Sequence, residues 1–209
     1  MTLSRKNWTN TRILVWKITE SFEELSSQVV LKEKTQNRIN GMKSELHQRA
    51  FLSVRMLLKE AGFNDFDLHY DEFGKPYLGC NNHISITHSH HFSAIIISEE
   101  TVGIDIELQR EKVIRIADKF VSEKELDRLI SFNTPDYIRK LTVKWGAKEA
   151  IFKIRNERGI SFKDNIRVNT FEMDEKETLA QLHFKEVIQE FEIFFEEFEN
   201  FTLVYAFEK

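Results

Sequence analysis

The sequence predicts an α+β protein, a pseudo-twofold duplication of a unit in which helices pack on a three-stranded antiparallel sheet. Three observations predict it. A chain of 209 residues that is 41% hydrophobic can bury one large core or two small ones. Helical periodicity is followed by short alternating strands before about Thr101, and the same order restarts after it. No strong residue-level repeat accompanies this order, so the duplication rests on element order alone. It gives halves of 1–101 and 102–209, with a ligand crevice expected at the seam.

The elements follow in order. Arg12–Thr19 alternates loosely as a first strand, and Leu25–Ala61 is the longest helical region. Leu46, Ala50, Val54 and Leu57 share one apolar face there, and Gly62 is the natural stop. Phe66–Tyr70, Ile84–Thr87 and Phe92–Ser98 are strand candidates, with Gly74-Lys75-Pro76 and Gly79 punctuating the loop between the first two. In the second half Val102–Leu108 is a strand and Val113–Phe120 a short helix. Ser122 and Glu125 form a capping box for a helix to about Ile130. Pro135 suits the first turn of the helix carrying Trp145 to Ile154, and Gly159 follows that helix. Ile166–Met173, Thr178–Val187, Glu190–Phe198 and Phe201–Phe207 alternate as strands, the last with Phe201, Leu203, Tyr205 and Phe207 on one face.

Composition narrows the function classes. The single cysteine, Cys80, excludes an internal disulfide and a cysteine-based zinc site, and it suits a reducing cytosol. The opening MTLSRKNWTNTR lacks the apolar core and cleavage site of a secretory signal. No uncharged apolar run approaches the ~20 residues that span a bilayer. The expectation is a cytoplasmic protein with no membrane partner. A net charge of −4 argues against nucleic acid, whereas a small anionic ligand needs only a few placed cations.

Three clusters carry chemistry. In Val102–Leu108 the period of two puts Asp105 and Glu107 on one face and Ile104, Ile106 and Leu108 on the other. Two carboxylates about 7 Å apart repel unless a cation lies between them, and hard oxygen donors suit Mg²⁺. A solvated acidic edge strand gives the same pattern. In Lys144–Lys153, Val143, Ala147, Ala150 and Ile154 form a core stripe, while Trp145 and Phe152 sit with Lys148 and Glu149 on the other side. Aromatics mixed with charges suggest a partly desolvated site. Glu149 and Lys153 are equally an ordinary i,i+4 surface pair. In Ile84–His91, three histidines allow a transition metal, and His88 with its neighbouring hydroxyls equally suits a phosphate. His90 and His91, being adjacent, cannot share the direction of His88 and are read as solvated loop residues.

Together the clusters resemble the signature of the phosphopantetheinyl transferase superfamily, in its single-chain pseudo-dimeric, surfactin-synthetase-activating branch. Gly74-Lys75-Pro76, Ser85-Ile86-Thr87-His88-Ser89, Gly103-Ile104-Asp105-Ile106-Glu107 and Trp145–Lys153 stand in the family's order, from about Arg49 to Gly159. Each motif alone is weak; the four in order are specific. Departures are small: Thr87 replaces a frequent serine, Gly146 and Ala147 are smaller than usual and would loosen packing near Lys148, and His90-His91 has no family role.

The resemblance implies transfer of 4′-phosphopantetheine from coenzyme A to a serine of an acyl or peptidyl carrier protein, with release of adenosine 3′,5′-bisphosphate. It implies Mg²⁺, with Mn²⁺ as an alternative ion, held by Asp105, Glu107 and Glu149. Lys148 and Lys153 would contact the diphosphate. Lys75 would lie by the adenine and its ribose phosphate. Thr87 and His88 would grip the 3′-phosphate, together with Arg49 or, by a looser alignment, Arg55. Glu149 is the candidate base, with a water on the ion as its competitor. Carrier domains of this family are acidic, so Arg110, Lys112, Arg115, Lys119, Lys124 and Arg128 are the expected docking patch, or else an ordinary solvated surface. The duplication predicts a monomer. A Mg²⁺-dependent phosphodiester hydrolase and a non-catalytic module binding coenzyme A or a carrier are the alternatives.

Overall fold

The protein is represented by a computed structural model, which describes residues 2–3, 10–127, 129 and 133–209. It divides into two compact units, Met1–Glu100 and Thr101–Lys209.

In the first unit, β1 (Thr2–Leu3), β2 (Arg12–Lys17), β5 (His83–Ser89) and β6 (Phe92–Ser98) form a sheet of order β1-β2-β6-β5 with antiparallel neighbours. The expected long helical region is three helices, α1 (Phe22–Ser26), α2 (Glu33–Asn40) and α3 (Glu45–Glu60). Capping explains the breaks. Ser21 and Glu24 close a capping box at α1, and Ser44 accepts from the His47 amide at α3. Ala50, Val54 and Leu57 are buried as the period predicts, but Leu46, in the first turn of α3, is 46% exposed. Beyond the αL residue Gly62, β3 (Leu68–Tyr70) and β4 (Pro76–Leu78) pair as a hairpin around the Gly-Lys-Pro loop.

In the second unit, β7 (Val102–Leu108), β8 (Ile166–Val168), β9 (Glu177–Phe184), β10 (Val187–Phe198) and β11 (Phe201–Glu208) form an antiparallel sheet of order β7-β11-β10-β9-β8. Its helices are α4 (Lys112–Phe120), α5 (Glu123–Asp127), α6 (Thr134–Arg155) and α7 (Phe162–Asn165). The expected end of α5 at Ile130 lies outside the described residues. The left-handed Asn156 (φ 49°) stops α6, three residues before Gly159.

A three-stranded motif recurs. β2, β6 and β5 with α3, and β7, β11 and β10 with α6, share one topology: strand, helix, then a hairpin whose second strand pairs with the first. Each sheet then grows beyond three strands, by β1 in the first unit and by β8 and β9 in the second. Each helix covers a core: Val54, Leu57 and Leu58 against Leu14, Ile84, Ile95 and Ile97, and Val143, Ala147, Ala150, Ile151 and Ile154 against Val204, Ala206 and Phe195.

Candidate functional site

Strand β7 and helix α6 position the acids. The face of β7 bearing Gly103, Asp105 and Glu107 lies under α6, so this edge strand does not expose a solvated acidic face. Contact is close because two glycines permit it. A Cβ on Gly103 would stand 2.1 Å from the Ala150 carbonyl oxygen, and one on Gly146 would stand 2.7 Å from Val204 Cγ2. Gly146 therefore tightens the packing that its small size was expected to loosen, and Ala147 is fully buried.

Asp105 is 5% exposed, and its Oδ1 accepts from Lys153 Nζ at 2.8 Å. The same ammonium donates to the Ile104 carbonyl at 2.8 Å, so the ion pair of Lys153 is with Asp105 across the α6–β7 contact. Trp145 Nε1 donates to Glu107 Oε1 at 3.1 Å. Burial, then the charge of Asp105, pushes Glu107 up to about 7; the Trp145 hydrogen bond opposes this and Glu149 adds to it. Burial and Asp105 also push Glu149 up, with Lys153 opposing. The three acids feel one another. No group of three or more His, Cys, Asp or Glu side chains among the described residues stands ready to hold a metal ion. In kind, however, Asp105, Glu107 and Glu149 are the oxygen donors a hard cation takes, and their mutual repulsion is what such a cation relieves. Beside Glu107, a pocket of about 160 Å³ is lined by Leu108, Arg110, Lys112, Val113, Ile116, Thr142 and Trp145.

Lys148 corrects an expectation. Its side chain is fully buried, and Nζ donates to the carbonyls of Phe120 (2.7 Å), Ile166 (2.7 Å) and Phe162 (2.9 Å) and to Glu125 Oε2 at 3.2 Å. An ammonium has three protons, so none remains for a diphosphate. Lys144, 1% exposed, reaches Glu125 Oε1 at 3.3 Å and the Val168 carbonyl at 2.7 Å. Burial pulls Lys148 down to about 8 against the attraction of Glu125. Burial alone would push Glu125 up, but Lys148 and Lys144 outweigh it and hold the carboxyl below its ordinary range. Sequence reasoning found Glu125 only as half of a capping box. The i,i+4 spacing of Lys144 and Lys148 was the available signal that one acid serves both.

In the first unit the structure sorts the anion candidates. Arg55, 4% exposed, donates to Asp65 Oδ1 at 3.0 Å and to the Phe51 carbonyl, and lies 3.6 Å over the Phe51 ring. It is a buried structural ion pair. Arg49 is half-buried, and its Nε is buried without a hydrogen-bond partner among the described residues. One turn later on α3, Ser53 Oγ meets Ser93 Oγ at 2.9 Å, and Ser93 is the register partner of His88. Because α3 runs alongside β6, Arg49 lies toward the hairpin end where His88 stands exposed. Thr87, adjacent on the strand, points to the opposite face and is buried, so it does not join His88 at one phosphate.

Lys75 follows Gly74 (φ +84°) in a loop pinned by Asp71 Oδ1, which accepts from the Phe73 and Lys75 amides. His90 (φ 52°) and His91 make the β5–β6 turn, just beyond the strand that carries His88. In the second unit, Arg110, Lys112, Arg115, Lys119 and Lys124 are all exposed, and Arg128 lies outside the described residues.

Fold and cluster define a class: an α+β protein with three coupled carboxylates held where a strand meets its covering helix. A sequence model of the 4′-phosphopantetheinyl transferase superfamily matches residues 101–205, and the chain belongs to that superfamily. It is 31% identical over 113 residues to the 4′-phosphopantetheinyl transferase gsp of Aneurinibacillus migulanus, covering 54% of this chain and 46% of the relative. It is 26% identical over 149 residues to the 4′-phosphopantetheinyl transferase ffp of Bacillus subtilis, covering 68% and 66%. The holo-[acyl-carrier-protein] synthase of Staphylococcus aureus (strain N315) is 32% identical over 80 residues, covering 31% and 67%. The chain thus spans between about half and two thirds of the length of the first two relatives. No helix among the described residues is long and apolar enough to cross a membrane.

Proposed function

We propose that the protein transfers 4′-phosphopantetheine from coenzyme A to a serine of an acyl or peptidyl carrier protein, releasing adenosine 3′,5′-bisphosphate, with Mg²⁺ or Mn²⁺ as its ion. The observation that carries this reading is the coupled trio Asp105, Glu107 and Glu149, which falls inside the stretch matched by the superfamily. The chain's relatives, two 4′-phosphopantetheinyl transferases and a holo-[acyl-carrier-protein] synthase, support the carrier-directed chemistry.

Asp105, Glu107 and Glu149 would hold the ion, which supplies charge neutralisation at the diphosphate. Lys153 holds Asp105 in an ion pair and, being partly exposed, has a donor direction left for a diphosphate oxygen. Glu149 would accept the serine proton, since a carboxyl raised by burial is a stronger base than an exposed one. The serine oxygen–phosphorus bond forms as the bridging phosphorus–oxygen bond breaks, and the leaving bisphosphate keeps the electron pair. Such a transfer rests on positioning and charge, with little covalent work for the protein. Arg49 and His88 would take the 3′-phosphate and Lys75 the adenine end. The carrier would dock on Arg110, Lys112, Arg115, Lys119 and Lys124; R115E with K119E should raise KM for carrier and leave KM for coenzyme A unchanged. One chain with both residue sets needs no second copy, so we propose a monomer. Exposed, free Cys80 suits the reducing cytoplasm.

The test is mass spectrometry of an apo carrier incubated with the protein, coenzyme A and Mg²⁺. The expected result is a gain of one phosphopantetheine, lost with EDTA or in Asp105→Ala. Cleavage of coenzyme A with the carrier unmodified would make the protein a hydrolase, and binding without either reaction would make it a binding module.

A further inference from the structure

The buried Lys144 and Lys148 and the part-buried Glu125 have no part in the chemistry above, yet they converge on the residues that hold Glu107. The Lys148 ammonium grips the backbone carbonyls of both Phe120 and Phe162. Those two rings are the partners of Trp145: Phe120 meets the indole edge-on at 5.0 Å between centroids, and Phe162 packs on it at 5.6 Å. The indole N–H held between them donates to Glu107. One cation therefore fixes both supports of the ring that orients an acid of the proposed site.

Glu125 fixes that cation. Its two oxygens face the two ammoniums, Oε1 toward Lys144 and Oε2 toward Lys148. Its own carboxylate is held by the Ser122 amide and hydroxyl at 3.2 and 3.1 Å and by the Val168 amide at 3.3 Å. Five donors around one carboxylate leave it a single orientation. The capping box thus does more than start α5: it locks the end of α4, the start of α7 and the start of β8 onto one helix face.

We propose that Glu125 is a positioning residue, acting through Lys148 and the Phe120–Trp145–Phe162 stack to hold the Trp145 indole against Glu107. This rests on the proposed transfer only for its effect on rate; the placement of the indole can be read without any reaction.

The test uses the full chain carrying Trp8→Phe and Trp16→Phe, so that 5-fluorotryptophan labels Trp145 alone. Glu125→Gln keeps the shape and removes the charge, and it should shift or split the single ¹⁹F resonance, while Lys124→Gln on the exposed side leaves it in place. If Glu125→Gln does not fold, Glu125→Asp, which keeps the charge at a shorter reach, should move the resonance in the same way. In transfer assays Glu125→Gln should lower kcat about tenfold with KM for coenzyme A unchanged. In a Trp145→Phe background, where the N–H is already gone, it should have no further effect. An unshifted resonance, or equal rate losses with and without the indole N–H, overturns the inference. Should the parent show no transfer to any carrier, the functional reading fails, and the resonance alone decides this one.

Discussion

Lys153 Nζ stands 2.8 Å from Asp105 Oδ1 and 2.8 Å from the Ile104 carbonyl, bolting the last turns of α6 to the acid strand. The carboxylate is nearly buried and the lysine side chain 28% exposed, so the pair is screened only from the lysine side. Lys153→Met takes the cation away from a nearly buried carboxyl group. We expect metal-free stability to fall by about 2 kcal/mol, below the 3–5 typical of a fully buried broken pair because of that exposure. Transfer should fall roughly 100-fold or more, as when a charge-stabilising donor is lost. Urea unfolding in EDTA and single-turnover kinetics measure the two effects. Retention of the rate within a few-fold would remove Lys153 from the chemistry.

The acids also set a pH dependence. Glu107 titrates at about 7 in the folded chain, above an ordinary carboxylate. Between those two values the folded state holds more protons than the unfolded state, so this group's contribution to stability falls as pH rises through 7. Glu149 is shifted the same way. Metal-free protein should therefore lose stability between pH 5 and 8, by up to about 3 kcal/mol from Glu107. Glu107→Gln should flatten the slope, and Mg²⁺ should stabilise more at pH 8 than at pH 5.5. Denaturant titrations of both proteins at the two pH values check this. Parallel slopes would show that Glu107 ionises normally.

Gly103 lets β7 approach α6 and Gly146 lets α6 approach Val204 of β11, yet their substitutions should differ. A Cβ on Gly103 meets a backbone oxygen at 2.1 Å, which can yield only if α6 moves. We expect Gly103→Ala to cost at least about 3 kcal/mol, the upper end of overpacking, and to abolish transfer with it. A Cβ on Gly146 meets the Val204 side chain at 2.7 Å, which can give. There a cost of about 1 kcal/mol is offset by a similar gain in helix propensity, so Gly146→Ala should lie within about 1 kcal/mol of the parent. Urea midpoints rank them, and equal midpoints would refute the packing argument.

The acid site was legible in the sequence because strand period two puts Asp105 and Glu107 together, and helical spacing carries Glu149 and Lys153 with Trp145. Lys148 was not. Periodicity marks lysine as surface, whereas three carbonyls from α4, α7 and β8 meet only in the folded chain and make an interior site for an ammonium. Thr87 was paired with His88 by sequence adjacency alone, but neighbours on a strand face opposite ways, and Thr87 is the buried one. The long helical region Leu25–Ala61 broke at Ser44, whose cap was readable but was hidden in a continuous polar pattern.

Arg49 and Arg55 stand six residues apart on α3 and should separate cleanly. The side chains of Arg55 and Asp65 are both buried and ion-paired, so Arg55→Met leaves the Asp65 carboxyl with the Lys32 amide but without its cation. It should cost about 3–5 kcal/mol and change KM only through lost protein. Arg49 has a buried Nε without a partner and lies toward His88, so Arg49→Met should cost little stability. If the pair receives the 3′-phosphate, Arg49→Met should raise KM for coenzyme A about tenfold or more, the worth of one charge-assisted hydrogen bond. It should leave KM for 3′-dephospho-coenzyme A unchanged, because that substrate has no phosphate to lose. Equal effects on both substrates would place the 3′-phosphate elsewhere, and a stability loss matching Arg55→Met would make Arg49 structural as well.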